Sequence, residues 1–145
     1  MKHKAQGGAS AVEFALVLPI LLLLVFAILE LGLLLYNKAV ITNASREAAR
    51  FGVVMRTTKH TSDEIEQKAL DYCSNFLVSL SPLNNPDPTF TNPSVIVPIP
   101  GAGGSFGQPL TVTVNYTFSG LGLGTLLSPL TGPITLTATT VMTNE

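Results

Sequence analysis

The stretch GGASAVEFALVLPILLLLVFAILELGLLLY, residues Gly7 to Tyr36, decides the fold of this chain. Its apolar run, Phe14 to Tyr36, is 23 residues long, with Glu13 at its edge and Glu30 inside it. As a helix the run would be about 35 Å long, enough to cross a hydrocarbon core of about 30 Å with some tilt. We therefore predict one membrane segment over residues 14–36.

Two other interpretations of the apolar run fit the sequence less well. A cleaved secretory signal would have an apolar region of only about 7–15 residues. The run here is longer and leads into the charged, helical pattern YNKAVITNASREAARFGVVMR. A buried helix of a soluble protein is seldom apolar on every side for six turns. We expect one helix from Ala9 to about Met55, apolar in its first half, amphipathic in its second, and kinked at Pro19.

The composition favours a membrane or assembly setting. Only 12% of the residues are charged, about half of the roughly 25% typical of soluble domains. All eight Lys and Arg lie between Lys2 and Lys68, so the C-terminal half has no cation with which to bind nucleic acid. The single Cys73 cannot form an internal disulfide. The length allows the membrane segment and one small domain, residues 57–145.

Glu13 is a charged residue directly before the apolar run, and its position there requires an explanation. A charge inside a membrane segment costs about 3 kcal/mol at the bilayer centre and usually marks a functional partner. A cut between Gly8 and Ala9 would create an α-amino group one helical turn before Glu13. The alternative is a carboxylate favoured by the helix dipole, which is worth about 0.3–1 kcal/mol. Glu30 lies about 100° around the helix from Glu13, so the two do not form a paired-carboxylate site.

A second helix and a small sheet are predicted after the long helix. TSDEIEQKALDYCSNFLVSL has a cap at Ser62 or Asp63, acids in its first turn, and a stop at Pro82. Its apolar stripe is expected to comprise Ile65, Ala69, Tyr72, Cys73, Phe76 and Leu80.

Three strands are predicted at Ser94–Ile99, Leu110–Phe118 and Ile134–Met142. In the second strand, apolar residues from Val112 to Phe118 alternate with polar ones, as in a sheet that is wet on one face. We therefore predict an α+β fold in which a small antiparallel sheet packs on the helices. The Leu-rich segment 119–133 either folds under the domain as a lid or forms an exposed patch.

The sequence offers little for catalysis. The histidines are His3 and His60, the latter in a polar turn, and there is no metal-ligand cluster, nucleophile motif or phosphate loop. Cys73 lacks the basic neighbours of a reactive thiol and is expected to be a small core residue. We predict no enzyme activity, no cofactor or metal, and no small-molecule substrate.

The N-terminal segment resembles a known family. The basic leader MKHKAQGG, a Gly before the cut, Glu at the fifth mature position followed by Phe, and a long apolar helix are similar to a type IV prepilin signal. GGASAVEFALVLPILLLLVFAILELG followed by NKAVITNASREAARFGVV resembles the TadE/TadG-like pseudopilins of tight-adherence (Tad, Flp) pili. The C-terminal LTVTVNYTFSGLGLG and GPITLTATTVMTNE extend this resemblance.

The resemblance implies a pilin-like fold and a minor pilin or pseudopilin used to assemble an adhesive Tad pilus. A prepilin peptidase would remove leader 1–8 between Gly8 and Ala9, leaving helix 9–56 in the bacterial inner membrane and the domain outside the cytoplasm. Glu13 would neutralise the Ala9 amine of its own or a neighbouring subunit. The helix contacts between subunits would include Phe14, Pro19 and Glu30.

The resemblance also implies partners, namely the membrane, other pilin subunits, the peptidase and the Tad inner-membrane machinery. The alternative function is that of an uncleaved single-pass anchor whose outer domain binds a partner.

The count of positive charges favours the opposite orientation, with the domain in the cytoplasm, because more positive charges follow the apolar run than precede it. Lys2 and Lys4 precede it, and Lys38, Arg46, Arg50 and Arg56 follow it.

Overall fold

The structure is a computed structural model of the chain. It describes residues 6–54, 58–78, 93–95, 99–118 and 134–145. Residues 81–92 of the Pro- and Asn-rich connection and the Leu-rich segment 119–133 lie outside the described residues.

Two helices and three antiparallel strands make up the described fold, which confirms the predicted α+β class. They are α1 (Gln6–Val53), α2 (Ser62–Phe76), β1 (Pro93–Val95), β2 (Pro109–Phe118) and β3 (Ile134–Thr143).

Helix α1 is 48 residues long and has two halves with different surroundings. The apolar half, up to Tyr36, is largely exposed, whereas the domain half, from Asn37 to Val53, is buried along one face. The buried residues recur at spacings of three and four, which places them on one side of a helix. They are Asn37, Val40, Ile41, Ala44, Ser45, Ala48 and Ala49.

The limits of α1 differ slightly from the predicted ones. The helix begins at Gln6 and not at Ala9, and it ends at Val53. The segment Gln6–Gly8 contains no proline and continues the helical backbone. Pro19 lies inside α1 without ending it, and the kink expected there stays a prediction.

The sheet has the strand order β1-β2-β3, and both helices pack on one of its faces. Alternate residues of β2 are buried on that face, from Leu110 through Val112 and Val114 to Phe118, which confirms the predicted period of two. In β3, Leu136 and Ala138 are buried as their partners across the pair. The remaining face of the sheet carries mainly threonine.

Three details of β3 and β1 differ from the predicted strands or from a purely apolar inner face. Thr140 faces inward and its hydroxyl lies 2.7 Å from that of Ser45, so the polar group has a partner in α1. Ile134, at the first position of β3, is 41% exposed although its partner in β2, Phe118, is buried. Strand β1 ends at Val95, while Ile99, predicted to lie in the same strand, is buried in a turn.

The N-cap of helix α2 is Thr61, so the helix begins at Ser62. The predicted caps are Ser62 and Asp63, and the observed cap precedes the first of them by one residue. The Thr61 hydroxyl accepts a hydrogen bond from the Glu64 amide (3.3 Å), and the Glu64 carboxylate accepts one from the Thr61 amide (3.0 Å). This reciprocal capping box satisfies two amides that the helix itself leaves unpaired, which selects Thr61 over Ser62 or Asp63.

The predicted apolar stripe of α2 is confirmed only in its first part. Ile65, Ala69 and Cys73 are fully buried, Tyr72 is partly buried, and Phe76 is 49% exposed. Phe76 is the last residue of α2 and contacts the region of Tyr36. Leu80 lies outside the described residues.

Small residues let α1 approach α2 and the sheet closely, and Gly52 shows how closely. A Cβ atom at Gly52 would lie 2.6 Å from Leu110 Cδ2 and 2.7 Å from Ile65 Cδ1. Both neighbours are fully buried, so neither has open space into which to move. Any side chain at position 52 must therefore displace the core.

We predict that Gly52→Ala destabilises the domain although alanine favours helices. Overpacking of a full core costs about 1–3 kcal/mol, which exceeds the about 1 kcal/mol gained in helix propensity. Chemical denaturation of the full-length chain in detergent, followed by circular dichroism, measures the difference. Gly32→Ala is the matched control, because a Cβ at Gly32 meets nothing within 4 Å. Equal stability of the two variants would contradict the close packing at Gly52.

Candidate assembly surface on the N-terminal helix

The apolar half of α1 makes a continuous hydrophobic surface that its own domain does not cover. Most of its large side chains are exposed, from 42% at Val25 to 69% at Leu16 and Ile20. Helix α1 is long and apolar enough to cross a membrane, and none of its most apolar window is buried. Exposed apolar area of this extent requires lipid or another protein.

The uncovered length of this surface matches a bilayer. Leu33 and Leu34 are the first residues of the apolar run that pack against the hydrophobic core of the domain, and the run before them extends from Phe14 to Gly32. Those 19 residues span about 28 Å as a helix, and a typical hydrocarbon core is about 30 Å thick. The helix can therefore cross the hydrocarbon core of a bilayer before the domain begins.

Glu13 lies on the exposed surface of α1 at the N-terminal end of this span. The helix is continuous from Gln6, so the backbone nitrogen of Ala9 and the side chain of Glu13 are one turn apart. That separation is about 6 Å along the helix axis and about 40° around it, so the two positions share a face. In the part of the chain that the structure describes, Glu13 has no ion-pair partner.

The other predicted contact residues are spread along α1. Phe14 is adjacent to Glu13 and 63% exposed, and Pro19 is exposed about 9 Å further along the axis. Pro19 has no N–H to donate to the carbonyl of Ala15, which leaves that backbone acceptor without its helical donor. Glu30 is partly buried and lies about 26 Å from Glu13 along the axis, so the structure keeps the two carboxylates apart.

A polar junction joins α1 to α2 where the apolar run ends. The fully buried Asn37 donates from Nδ2 to the Val78 carbonyl (2.8 Å) and accepts from the Val78 amide at Oδ1 (3.1 Å). The Tyr36 hydroxyl donates to the carbonyl of Phe76 (3.1 Å). Asn37 therefore pairs with the backbone as a neighbouring strand would, and fixes the end of α2 to α1.

Sequence reasoning missed this junction. The available signal was the Tyr-Asn pair that ends the apolar run, because a buried amide requires hydrogen-bond partners. Its partner lies 41 residues further along the chain, and nothing in the sequence identifies it.

Comparison with known proteins places a family match on this helix. The model of the family described as TadE-like protein matches residues 8–50. The match begins at Gly8, includes Glu13 and both halves of α1, and ends before the turn to α2. It confirms the predicted resemblance over α1, while the resemblance of the strands stays a prediction. No curated protein and no solved structure matches the chain.

The residues able to do chemistry elsewhere have structural surroundings. His60 lies just before α2, outside any helix or strand, and is only 7% exposed. Its ring stacks on that of Phe51 with 3.7 Å between the ring centroids, and its Nδ1 lies 3.0 Å from the Glu64 carboxylate. No group of metal-binding side chains occurs among the described residues.

Cys73 is fully buried between the two helices and the sheet, as predicted for a core residue. Burial raises the pKa of its thiol from the ordinary value of 9.0 to about 11. Only the thiolate is nucleophilic, so the folded chain keeps Cys73 in its unreactive form at neutral pH.

We predict that iodoacetamide modifies Cys73 slowly in the native chain up to about pH 9, and rapidly in guanidinium at the same pH. Because the folded pKa is raised, this thiol favours the folded state below pH 9.0, and its contribution is lost as the pH rises towards 11. Mass spectrometry gives the extent directly, since the chain has one cysteine. Equal rates in the native and unfolded chain would show that Cys73 is accessible.

Proposed function

We propose that this chain, which is TadE-like over residues 8–50, is a minor pilin of a Tad-type adhesive pilus. It is a structural subunit, held in the bacterial inner membrane by α1 and carrying its α+β domain outside the cytoplasm. Its partners are the lipid bilayer, a prepilin peptidase, other pilin subunits and the Tad assembly machinery of the inner membrane.

The observation that carries this proposal is the exposed apolar half of α1 within the family match. A helix that packs only against its own domain would bury its apolar residues in that domain, as α1 does from Asn37 onward. The first half instead presents apolar side chains on all sides. Such a surface suits lipid before assembly and the helices of other subunits afterwards.

Processing would occur between Gly8 and Ala9. Removal of leader 1–8 takes away Lys2 and Lys4 and creates an α-amino group at Ala9, about 6 Å along the axis from Glu13. The new cation and the carboxylate are then close enough to pair within one subunit or between neighbours. In a low-dielectric helix bundle, a subunit with one of these charges unpaired is penalised by about 3–5 kcal/mol. Pairing therefore selects one axial position for each incoming subunit.

The proposed orientation conflicts with the simple count of positive charges in the flanks. Arg46 and Arg50 are exposed on the domain half of α1, and Lys38 donates a hydrogen bond to the carbonyl of Thr137 in β3. These cations thus lie in the folded part of the chain after Tyr36, and the sequence extends from there to residue 145. Segments longer than about 60 residues cross the membrane largely regardless of charge. The family match supports placing this domain outside.

The first prediction of this proposal is that Gly8→Val leaves the leader attached. A Cβ at Gly8 meets nothing within 4 Å, so valine there does not disturb the fold and a loss of cleavage reports on the peptidase. Gly32→Val is the matched control, since Gly32 is also a helical glycine with open space around it. N-terminal sequencing of chain recovered from membranes should give Ala9 for wild type and Gly32→Val, and Met1 for Gly8→Val.

A wild-type N-terminus at Met1 would favour the alternative function, an uncleaved anchor whose outer domain binds a partner. An N-terminus beyond Tyr36 would instead indicate an ordinary secreted domain. Either result would overturn the proposed function.

The second prediction concerns Glu13. Glu13→Gln keeps the shape of the side chain but removes the charge that offsets the Ala9 amine, and Glu13→Ala removes both. We expect both variants to be cleaved and inserted, because loss of a charge makes the segment more apolar. They should be poorly incorporated into pili, with Glu13→Asp intermediate because its arm is shorter.

Glu30→Gln is the comparison for Glu13→Gln, because it removes a charge from the same helix and leaves the Ala9–Glu13 pair intact. Its effect on piliation should be smaller. Piliation at the wild-type level with both Glu13→Gln and Glu13→Ala would reduce Glu13 to a helix-terminal preference, and the charge-pairing mechanism would be wrong.

A further inference from the structure

We propose that the folded domain has its own lipid contact, formed by Tyr36, Phe76 and Val78, which we call the collar. The collar lies in the headgroup region of the bilayer and holds the domain against the membrane surface. This inference rests on the membrane insertion of α1 proposed above and adds a contact that α1 alone does not make.

Hydrogen bonds bring the three collar residues together. The Tyr36 hydroxyl is bonded to the Phe76 carbonyl at 3.1 Å, and Asn37 holds the amide and carbonyl of Val78. Helix α2 returns along α1 from the far end of the domain, so its last residue, Phe76, reaches the end of the domain that is nearest the apolar half. The collar is therefore the end of the α1–α2 pair that faces the membrane.

The collar is apolar, and nearly half of the surface of each of its residues is exposed. Tyr36 is 46% exposed, Phe76 is 49% exposed and Val78 is 40% exposed, and none of the three carries a charge. The patch is continuous with the apolar half of α1, because Tyr36 is the last residue of that half. Tyrosine and other aromatic residues are favoured where a membrane meets water, since one end of the ring is apolar and the other polar.

The depth of the collar follows from the length of the uncovered helix. If Phe14 to Gly32 fills the hydrocarbon core, Tyr36 lies four residues, or about 6 Å, beyond its outer edge. The headgroup region on each side of the core is about 5–8 Å thick. Leu33 and Leu34 already contact the domain core, so the domain cannot stand further from the bilayer without pulling the helix outward.

Lipid fits the collar better than a second protein does. An aromatic side chain buries about 150–250 Å² when fully covered, and the collar residues are only about half exposed. The patch thus offers a few hundred Å², whereas a stable protein interface buries about 800 Å² on each partner. The membrane, in contrast, is already held next to the collar by the helix.

Single tryptophans test this inference, because the chain has none of its own. Phe76→Trp and Val78→Trp report on the collar in the full-length chain, reconstituted in phosphatidylcholine–phosphatidylglycerol vesicles. Phe26→Trp reports on the middle of the apolar half. Phe106→Trp is the exposed control at the far end of the domain, where the neighbouring Gly107 amide bonds Asn144 and the Glu145 amide bonds Val53. Each tryptophan is quenched with lipids brominated near the headgroup end or near the tail end of the acyl chain.

We expect both collar tryptophans to lose emission in brominated vesicles, and to lose more with bromines near the headgroup than with bromines near the tail. Phe26→Trp should show the reverse order, and Phe106→Trp should keep its emission in both. Circular dichroism confirms the fold of each variant, and agreement between positions 76 and 78 excludes a local effect of either substitution.

Quenching of Phe26→Trp without quenching at either collar position would overturn the collar and leave the inserted helix intact. Absence of quenching at Phe26→Trp would mean that α1 is not inserted, which would overturn the proposed function as well. The two failures are therefore distinguishable in one series of vesicles.

Discussion

The continuity of α1 through Tyr36 and Asn37 is the constraint on which the rest of the structure depends. A single helix is apolar on all sides before this point, and after it only one face of the helix is buried. Because no loop separates the halves, the direction of the apolar half fixes the orientation of the domain. Asn37 strengthens the constraint, since its paired hydrogen bonds to Val78 join the second helix to the first at the same level.

Close packing on the domain half transmits this orientation to the sheet. Ala44, Ala48 and Gly52 bring the α1 backbone near the core, where Leu110 and Ile65 leave no room for a further methyl group. Ser45 adds a polar contact with Thr140, and Lys38 reaches the backbone of β3 at Thr137. The sheet and both helices thus form one body, in which α1 and α2 together form the end that is nearest the apolar half of α1.

The sequence predicts much of this arrangement because the deciding patterns are local. The membrane-length run up to Tyr36, the alternation in β2 and the apolar spacing from Ile65 to Cys73 are periodic signals. The sequence does not predict contacts between positions that are far apart along the chain. The partner of Asn37 is 41 residues away, and His60 is buried because Phe51, on another element, covers it.

Local chemistry also left some choices open. TSDE offers three adjacent residues able to cap α2, and the reciprocal bond from Glu64 selects Thr61. Phe76 continues the helical spacing of the buried stripe but lies at the end of α2, where the core no longer covers it. The role of Glu13 could be stated from the sequence as a hypothesis about an α-amino group, and it depends on a cut and on neighbouring subunits.

We propose that the apolar half of α1 is a surface for lipid and for other subunits. Photo-crosslinking tests it most directly, with benzoylphenylalanine at Phe26 in cells that assemble the pilus. We expect adducts with other pilin subunits that disappear when the assembly machinery is deleted. The same probe at the exposed Phe106 should form no adduct with the membrane helix of another subunit. Adducts at Phe26 that contain no pilin subunit, in cells that produce pili, would contradict it.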